Sequence, residues 1–466
     1  MRNPAPLWLA VPAAAPNQPV VMRECEVCVS FNELARLFPV TARVNQLGHL
    51  ELGGCDLTAL AQQFGTPLYI FCEETLRGQS RAFQQGFAKH YPKVRVLFAG
   101  KAYINPALAR LLQEEGLGLD VVSGGELAVA QAVSFPPDRI YFHGNNKLPQ
   151  ELEQALAYGV GRIVLDNLEE LERVEKFARA RGAPADVLLR ITPGIDPHTH
   201  SHTTTGTVDS KFGFPLTTGQ AEEAVRRALA SPNLRVQGLH FHLGSPIFEL
   251  EPYAIAVRVV LDFAARMVKQ GLTLNEFSPG GGYAINYLRT QHAPSPEQYA
   301  EVIGNALKQG CQELGLPLPT LVLEPGRAIV GRAGVALYTV GSVKRIPGVR
   351  TYAAVDGGMG DNIRPALYDA KYEAVVANRV NDPEAELVTI AGKYCESGDV
   401  LVRDVRLPSL DLGDLVAMPA AGAYAPSMAS TYNLNPRPPV VLVKNGSARL
   451  IRRRESYQDL MRNDVL

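Results

Sequence analysis

The sequence predicts an α/β protein made of a (β/α)8 barrel and a second, mostly antiparallel β domain. Between residues 94 and 327, short apolar runs alternate with longer segments whose apolar residues recur at helical spacing. After Arg327 the segments become short, rich in β residues and separated by Gly, Pro, Asp and Asn. The chain has 466 residues, which is more than one hydrophobic core usually serves, so two domains are expected.

Eight apolar runs in the first region are each short enough to form one strand. They are VRVLFAGKA, GLGLDVVSGG, RIYFHGN, RIVLDN, DVLLRITPG, VQGLHFHLGS, LNEFSPGGG and TLVLEPGR. The segments between them, such as PALARLLQEE and LEELERVEKFARARG, have the periodicity of amphipathic helices. Parallel strands need such crossovers, and eight of them close into a barrel of the TIM type without leaving a sheet edge.

These patterns divide the chain into four parts. Residues 1–45 are expected to form a loose N-terminal extension, and residues 46–75 to add one or two strands to the β domain. Residues 76–330 are expected to form the barrel, and residues 331–466 the C-terminal β domain.

Composition excludes several classes of protein. The 46 basic residues nearly balance the 47 acidic ones without long runs of one sign, so neither nucleic acid nor an anionic membrane is an expected partner. No apolar stretch reaches the length of a membrane span, and prolines interrupt the apolar patch of the N-terminal extension, so we expect a cytoplasmic protein. The six cysteines are too irregular for a disulfide framework, and Cys25 and Cys28 are interpreted as incidental thiols.

Functional residues of a barrel collect at the carboxyl ends of its strands. Lys101 ends the first apolar run, where a buried ammonium needs either an anionic partner or a lowered pKa. The glycines of SPGGGY follow the seventh run, where barrels often bind phosphate through backbone N–H groups. Glu324 and Arg327 follow the eighth run.

The histidines admit two interpretations. His240 and His242 lie two residues apart and would face the same way on a strand, as in the metal site of a barrel hydrolase. A neutral imidazole that stacks on a flat ligand fits equally well, and we assign no metal ligand. His198, His200 and His202 are interpreted as ordinary loop histidines. A lysine, a phosphate loop, a stacking residue and a carboxylate facing a ring nitrogen together describe a site for pyridoxal 5'-phosphate (PLP).

At this point the sequence resembles the fold-type III PLP decarboxylases, and most closely the diaminopimelate decarboxylase family. From about His49 to the C-terminus, the motifs FAGKAY, DVVSGGEL, DSKFGF, HFHLGS, SPGGGY, EPGRAIVG, DNIRPALY, CESGD and GAYAPSMASTYN occur in the order of that family. The resemblance implies a PLP-binding barrel with a β domain, and a homodimer with shared active sites. It also implies decarboxylation of meso-2,6-diaminopimelate to L-lysine and CO2, the last step of lysine biosynthesis.

The resemblance further implies roles for individual residues. Lys101 would bind the cofactor covalently, with other cofactor contacts from His242, Ser245, Gly280, Gly281, Gly282, Glu324, Arg327 and Tyr424. Within this set, His242 would stack on the ring and Glu324 would pair with its nitrogen. The substrate ligands would be Arg327, Arg364, Tyr368, Glu396 and Tyr424, and Cys395 would donate a proton. Cys395 and Glu396 would act across the dimer interface.

Several alternatives stay open. The substrate could be ornithine or carboxynorspermidine, or the chain could be a PLP-binding regulator without activity, although the presence of Lys101 and Cys395 argues against the latter. Lys147, expected to be exposed to solvent, and Lys211, in a long crossover, are rival cofactor lysines. Pro246 stands where the family usually has glutamine.

Overall fold

The structure is a computed structural model that describes residues 31–195 and 209–465. The strands are β1 (Arg43–Val44), β2 (Leu50–Leu52), β3 (Cys55–Asp56), β4 (Leu68–Cys72), β5 (Val94–Ala99), β6 (Gly118–Val121), β7 (Ile140–Phe142), β8 (Arg162–Leu165), β9 (Ala185–Thr192), β10 (Phe214–Pro215), β11 (Leu234–His240), β12 (Glu276–Gly280), β13 (Thr320–Leu323), β14 (Gly334–Ile346), β15 (Arg350–Val355), β16 (Val375–Val376), β17 (Glu386–Ala391), β18 (Val400–Leu407), β19 (Leu415–Met418), β20 (Val440–Lys444) and β21 (Ser447–Arg452).

The described α-helices are α1 (Phe31–Leu34), α2 (Leu57–Phe64), α3 (Glu73–His90), α4 (Pro106–Glu114), α5 (Gly124–Ala132), α6 (Pro149–Tyr158), α7 (Leu168–Arg181), α8 (Gln220–Ala230), α9 (Glu251–Val268), α10 (Pro296–Leu314), α11 (Arg327–Val330), α12 (Arg364–Tyr368) and α13 (Tyr457–Met461). None of them is both long and apolar enough to cross a membrane.

The predicted barrel is confirmed. Strands β5, β6, β7, β8, β9, β11, β12 and β13 pair in parallel in that order, and β13 pairs with β5 to close the sheet. Each of the eight apolar runs overlaps one of these strands. A buried cluster within the barrel consists of one residue from each of five strands, namely Leu97, Tyr141, Val164, Leu188 and Val322. Their neighbours along each strand point outward to the helices, as the two-residue period of a strand requires.

Polar residues just after the strands start several of the helices. The side chains of Asn105, Ser123 and Asn167 accept hydrogen bonds from backbone N–H groups in the first turns of α4, α5 and α7. Such caps satisfy donors that have no partner within the helix.

The second domain is a mostly antiparallel sheet, also as predicted. Its strands lie in the order β18, β17, β15, β14, β4, β20, β21, with β19 pairing to β14 and β16. Only the pairs β15–β17 and β4–β20 are parallel among the described pairings of this sheet. Strand β4 precedes the barrel in sequence and inserts between β14 and β20. The chain therefore enters and leaves the barrel through one sheet, while β1, β2 and β3 form a small sheet of their own.

Candidate active site

A cavity of about 650 Å³ lies at the carboxyl ends of the barrel strands. It is lined by most of the residues that the sequence assigned to the site, namely Lys101, His242, Ser245, Gly281, Gly282, Glu324, Arg327, Arg364, Tyr368 and Tyr424. The barrel and the β domain both contribute to this wall, since α12 and the segment around Tyr424 follow the barrel in sequence. Gly280 ends β12 directly before the two lining glycines.

Lys101 lies in a single 3-10 turn that follows β5, and its side chain enters the cavity. Its Nζ atom is 3.8 Å from Oδ2 of Asp120, a residue of β6 that is 1% exposed. Burial alone would lower the pKa of the Lys101 ammonium, but Asp120, together with Tyr424 and Glu324, raises it above its ordinary value. The amine is thus held at the cavity by a buried anion.

Glu126 stands behind this pair at the start of α5. Its Oε2 atom accepts a hydrogen bond of 2.9 Å from the N–H of Val122. Burial, with a further contribution from Asp120, raises the pKa of the Glu126 carboxyl group to about 7. A proton can therefore reside next to the lysine site at neutral pH.

Glu324 lines the cavity and lies beside two imidazoles and a hydroxyl group. Its two carboxylate oxygens lie 3.0 Å from Nε2 of His240 and 3.4 Å from Nε2 of His143, and Ser278 donates its hydroxyl at 3.1 Å. Burial would raise the pKa of Glu324, but the two imidazoles outweigh it and hold that pKa well below the ordinary value. Glu324 therefore stays ionised although it is 5% exposed.

The glycines after β12 bring backbone close to His242. The N–H of Gly281 donates to Nδ1 of His242 at 3.2 Å, which fixes the ring. A Cβ atom on Gly281 would lie 2.3 Å from the carbonyl oxygen of Glu324, and one on Gly282 would lie 2.5 Å from that of Gly244. Burial, followed by the nearby Lys101 charge, lowers the pKa of His242 well below its ordinary value, so its imidazole is neutral.

This arrangement fits PLP. The glycine loop packs against neighbouring backbone so closely that side chains would not fit, and such a loop suits a phosphate bound through backbone N–H groups. The neutral imidazole of His242 can face an aromatic ring, and the ionised Glu324 suits a protonated ring nitrogen. Lys101 supplies the amine.

Two guanidinium groups, those of Arg327 and Arg364, also line the cavity. Arg327 donates from Nε to Oγ of Ser245 at 3.2 Å and from a terminal nitrogen to the Tyr287 hydroxyl at 2.6 Å. Its guanidinium carbon also lies 4.7 Å from the centre of the Tyr424 ring, and that of Arg364 lies 4.6 Å from the Tyr287 ring. These cations are oriented by aromatic rings and offer two binding points for carboxylates.

Tyr424 and Tyr368 both line the cavity, but Tyr424 is half-buried whereas Tyr368 is exposed. The N–H of Tyr424 donates to the carbonyl of Ala102 at 2.8 Å, next to Lys101, and its φ of 60° lies in the left-handed region. Tyr368, at the end of α12, is 59% exposed.

Cys395 and Glu396 are not among the residues that line this cavity. Cys395 is exposed, and its N–H donates to Oδ1 of Asn433 at 2.8 Å. Glu396 accepts a hydrogen bond of 3.3 Å from the N–H of Gly398 within the same loop. The fold of a single chain therefore does not bring these two residues to Lys101.

The expectation that Lys147 is exposed is wrong. Lys147 is 1% exposed, and its Nζ atom donates to the carbonyl oxygens of Gly144 and Val164 and to Oε1 of Glu170, at 2.9, 2.7 and 2.7 Å. Glu170, on α7, provides the buried countercharge. The residues around Lys147 in the sequence do not predict this pairing. Because all three donor positions of Lys147 are used, it does not reach the cavity.

The other sequence candidates lie apart from the site or outside the described residues. Lys211 does not line the cavity, and its Nζ atom lies 5.0 Å from the centre of the Phe212 ring. The residues of the CxxC pair and of the histidine-rich tract fall outside the described ranges, namely Cys25, Cys28, His198, His200 and His202.

Sequence reasoning missed Asp120 and Tyr287. A signal for Asp120 exists, because it alternates with the apolar residues Leu119 and Val121 and must face the barrel interior. No sequence signal identifies Tyr287, which lies in an irregular segment after β12.

The comparisons with known proteins agree with this geometry. Residues 77–331 match the pyridoxal-binding domain of the pyridoxal-dependent decarboxylases. A diaminopimelate decarboxylase from Bacillus subtilis is 47% identical over 91% of this chain and 97% of its own length. One from Synechocystis is 45% identical over 92% and 93%. This chain belongs to the diaminopimelate decarboxylases.

Solved structures of diaminopimelate decarboxylases share the fold. The enzyme of M. jannaschii in complex with L-lysine superposes with a TM-score of 0.86 at 34% identity, covering 91% of this chain and 98% of its own. A lysine/ornithine decarboxylase of Vibrio vulnificus complexed with putrescine gives 0.71 at 26% identity, covering 84% and 97%. The family predicted from the motifs is thereby confirmed, and the metal-dependent hydrolase is set aside.

Proposed function

We propose that this chain decarboxylates meso-2,6-diaminopimelate to L-lysine and CO2, the last step of lysine biosynthesis, with PLP as its cofactor. The observation that carries the proposal is one cavity lined by a lysine amine, an ionised glutamate and two guanidinium groups. Such a site suits a substrate that is an amino acid at both ends.

The residues that would hold PLP are those of the barrel mouth. Lys101 would bind it covalently, the loop of Gly280, Gly281 and Gly282 with Ser245 would bind its phosphate, and Arg327 and Tyr424 would contact it. His242 would stack on its ring. When bound, PLP supplies an electron sink for the electron pair that remains after CO2 leaves. Glu324, ionised between His143 and His240, would hold a proton on the ring nitrogen.

The substrate would be oriented by charge. Arg327 and Arg364 would bind carboxylates, because a guanidinium group donates two parallel hydrogen bonds to such a group. Tyr368 and Tyr424 would line the path between the two ends of the substrate, and the Glu396 carboxylate would receive the distal ammonium group. Removal of a carboxylate leaves a carbon that needs a proton, and the Cys395 thiol would donate it.

The positions of Cys395 and Glu396 support a homodimer with shared active sites. Both lie outside the cavity of their own chain, so a second copy would have to supply them. A groove of about 1040 Å³ adjoins the cavity and shares Leu288, Asp369, Ala370 and Lys371 with it, which leaves room for a loop from a partner. We also propose a cytoplasmic location, supported by the unpaired state of the described cysteines Cys55, Cys72, Cys311 and Cys395.

A substrate panel tests the activity. The protein is supplied with PLP and given meso-diaminopimelate, ornithine or carboxynorspermidine, and CO2 and the amine products are measured. We expect turnover of diaminopimelate with L-lysine as product. Faster turnover of ornithine or carboxynorspermidine would make that compound the assigned substrate. PLP binding without any turnover would favour a regulator.

Mixing two inactive variants tests the shared sites. Lys101→Ala and Cys395→Ala chains, each inactive alone, are unfolded, mixed and refolded. If sites are shared, mixed dimers contain one intact site and regain about a quarter of the wild-type activity, as random pairing requires. No recovery would contradict the shared site.

A further inference from the structure

We propose that Asp399 is a positioning residue that holds the loop of Cys395 and the turn before Arg364 in one fixed relation, and so links the two active sites of a dimer. This inference rests on the proposed function, which assigns Arg364 to the cavity of its own chain and Cys395 to that of the partner. Asp399 itself does not line the cavity.

The Asp399 carboxylate bridges two segments that are far apart in sequence. It is 4% exposed, and its two oxygens accept hydrogen bonds from the N–H groups of Met359 and Tyr394, at 2.6 and 2.8 Å. Both donors belong to the main chain, so the carboxylate fixes backbone rather than side chains. A charged acceptor makes such bonds stronger than a neutral one.

Three glycines allow this close approach. A Cβ atom on Gly392 would lie 2.1 Å from an Asp399 oxygen, and one on Gly358 would lie 2.5 Å from the other. On Gly360 it would lie 2.3 Å from the Tyr394 ring. The sequence thus leaves room for one carboxylate between the two segments.

One of the two segments leads to Arg364. The N–H of Gly358 donates to Oδ1 of Asp361 at 2.7 Å, and that of Asn362 donates to the Gly358 carbonyl at 2.9 Å. The N–H of Arg364 then lies 3.4 Å from Oδ1 of the buried Asn362. Movement of Met359 would be passed through this turn to the start of α12, and hence to the guanidinium group in the cavity.

The other segment leads to Cys395. Tyr394, whose N–H donates to Asp399, is the residue directly before it. The N–H of Lys393 also donates to the Gly357 carbonyl at 3.0 Å, which ties the two segments a second time. Asp399 therefore sets where the thiol is presented, outside the cavity of its own chain.

Hydrogen exchange measured by mass spectrometry tests the positioning directly. In Asp399→Asn one oxygen is replaced by an NH2 group that cannot accept a bond, so residues 357–362 and 392–398 should both exchange about tenfold faster or more. Residues 334–346 of β14 should be unchanged, as should all segments in the control Asp382→Asn, an exposed aspartate. Gly392→Ala, which pushes a methyl group onto Asp399 without removing charge, should reproduce the effect.

Mixed dimers of Lys101→Ala and Cys395→Ala chains separate the effect of Asp399 on Cys395 from its effect on Arg364. Their one intact site takes Arg364 from the Cys395→Ala chain and Cys395 from the other. Asp399→Asn on the Lys101→Ala chain should lower kcat about tenfold by displacing Cys395, and should also raise KM by displacing Glu396 of the same loop. On the Cys395→Ala chain it should raise KM and leave kcat unchanged.

The outcomes are distinguishable. Unchanged exchange in both segments, or the same kinetic defect from either chain, would overturn the role of Asp399. If the parent mixed dimers regain no activity, the shared site fails instead, and the exchange measurement alone decides whether Asp399 holds both segments.

Discussion

The Nζ atom of Lys101 lies 3.8 Å from Oδ2 of Asp120, whose carboxylate oxygens accept no hydrogen bond from the described residues. A buried carboxylate without such bonds depends on nearby cations for its charge. Asp120 therefore stabilises the charged form of Lys101 and raises its pKa. This relationship explains why a cation can stand where a buried strand ends.

Asp120→Asn should lower the pKa of the Lys101 amine, because its largest favourable neighbour is lost. Only the neutral amine can attack the PLP aldehyde. PLP incorporation into the cofactor-free protein can be monitored by absorbance. The pH at which its rate is half-maximal should fall by about one unit or more. Asp166→Asn is the matched control, since Asp166 is also buried but faces Arg190. An unchanged or higher midpoint would contradict the pairing.

Glu126→Gln should make stability less dependent on pH. The pKa of Glu126 is raised on folding from 4.5 to about 7, so the folded chain binds the proton more tightly. Stability from this group is present below pH 4.5 and is lost as pH rises to about 7, with an upper limit of about 3 kcal/mol. Urea unfolding of the cofactor-free protein at several pH values measures this. If the free energy of unfolding depends on pH equally in wild type and variant, Glu126 does not titrate between pH 4.5 and about 7.

Gly281→Ala should impair cofactor binding. The added methyl group would lie 2.3 Å from the Glu324 carbonyl, so the loop must shift. We expect the Kd for PLP, measured by fluorescence, to rise about tenfold or more. Gly78→Ala is the control: a Cβ there meets nothing within 4 Å, and helix α3 should gain about 0.5–1 kcal/mol. Equal PLP affinity in the two variants would count against phosphate binding by the glycine loop.

Lys147→Met should destabilise the barrel without changing where PLP binds. It leaves the Glu170 carboxylate buried and unpaired, at a cost of about 3–5 kcal/mol in the free energy of unfolding. The double variant Lys147→Met, Glu170→Leu should recover most of that loss. After borohydride reduction of the holoenzyme, peptide mapping should find the cofactor on Lys101. Label on Lys147 in the wild type would refute the assignment.

The sequence predicted the barrel because each of its strands leaves a local signal. A run such as VRVLFA alternates or stays apolar over a strand length, and its polar end marks the mouth. The same logic predicted most of the cavity wall, since Lys101, Glu324 and the glycine loop all stand at strand ends. The boundaries of the four parts of the chain stay predictions.

Contacts between distant segments could not be predicted in this way. The burial of Lys147 depends on Glu170, and the orientation of Arg327 depends on Tyr287, 40 residues earlier. Strand β4 could not be placed between β14 and β20 from its own sequence, because apolar strands carry no register with remote partners. Contacts between residues that are distant in sequence are therefore seen only in the structure.

Decarboxylation of meso-diaminopimelate with Lys101 as the cofactor lysine is tested most directly by CO2 release from the carboxyl-labelled substrate. The PLP-loaded protein is compared with its Lys101→Ala variant, with Lys211→Ala as control. We predict one CO2 and one L-lysine per substrate consumed by the wild type and the control, and no release by Lys101→Ala. Undiminished release by Lys101→Ala, or none by the PLP-loaded wild type, would contradict it.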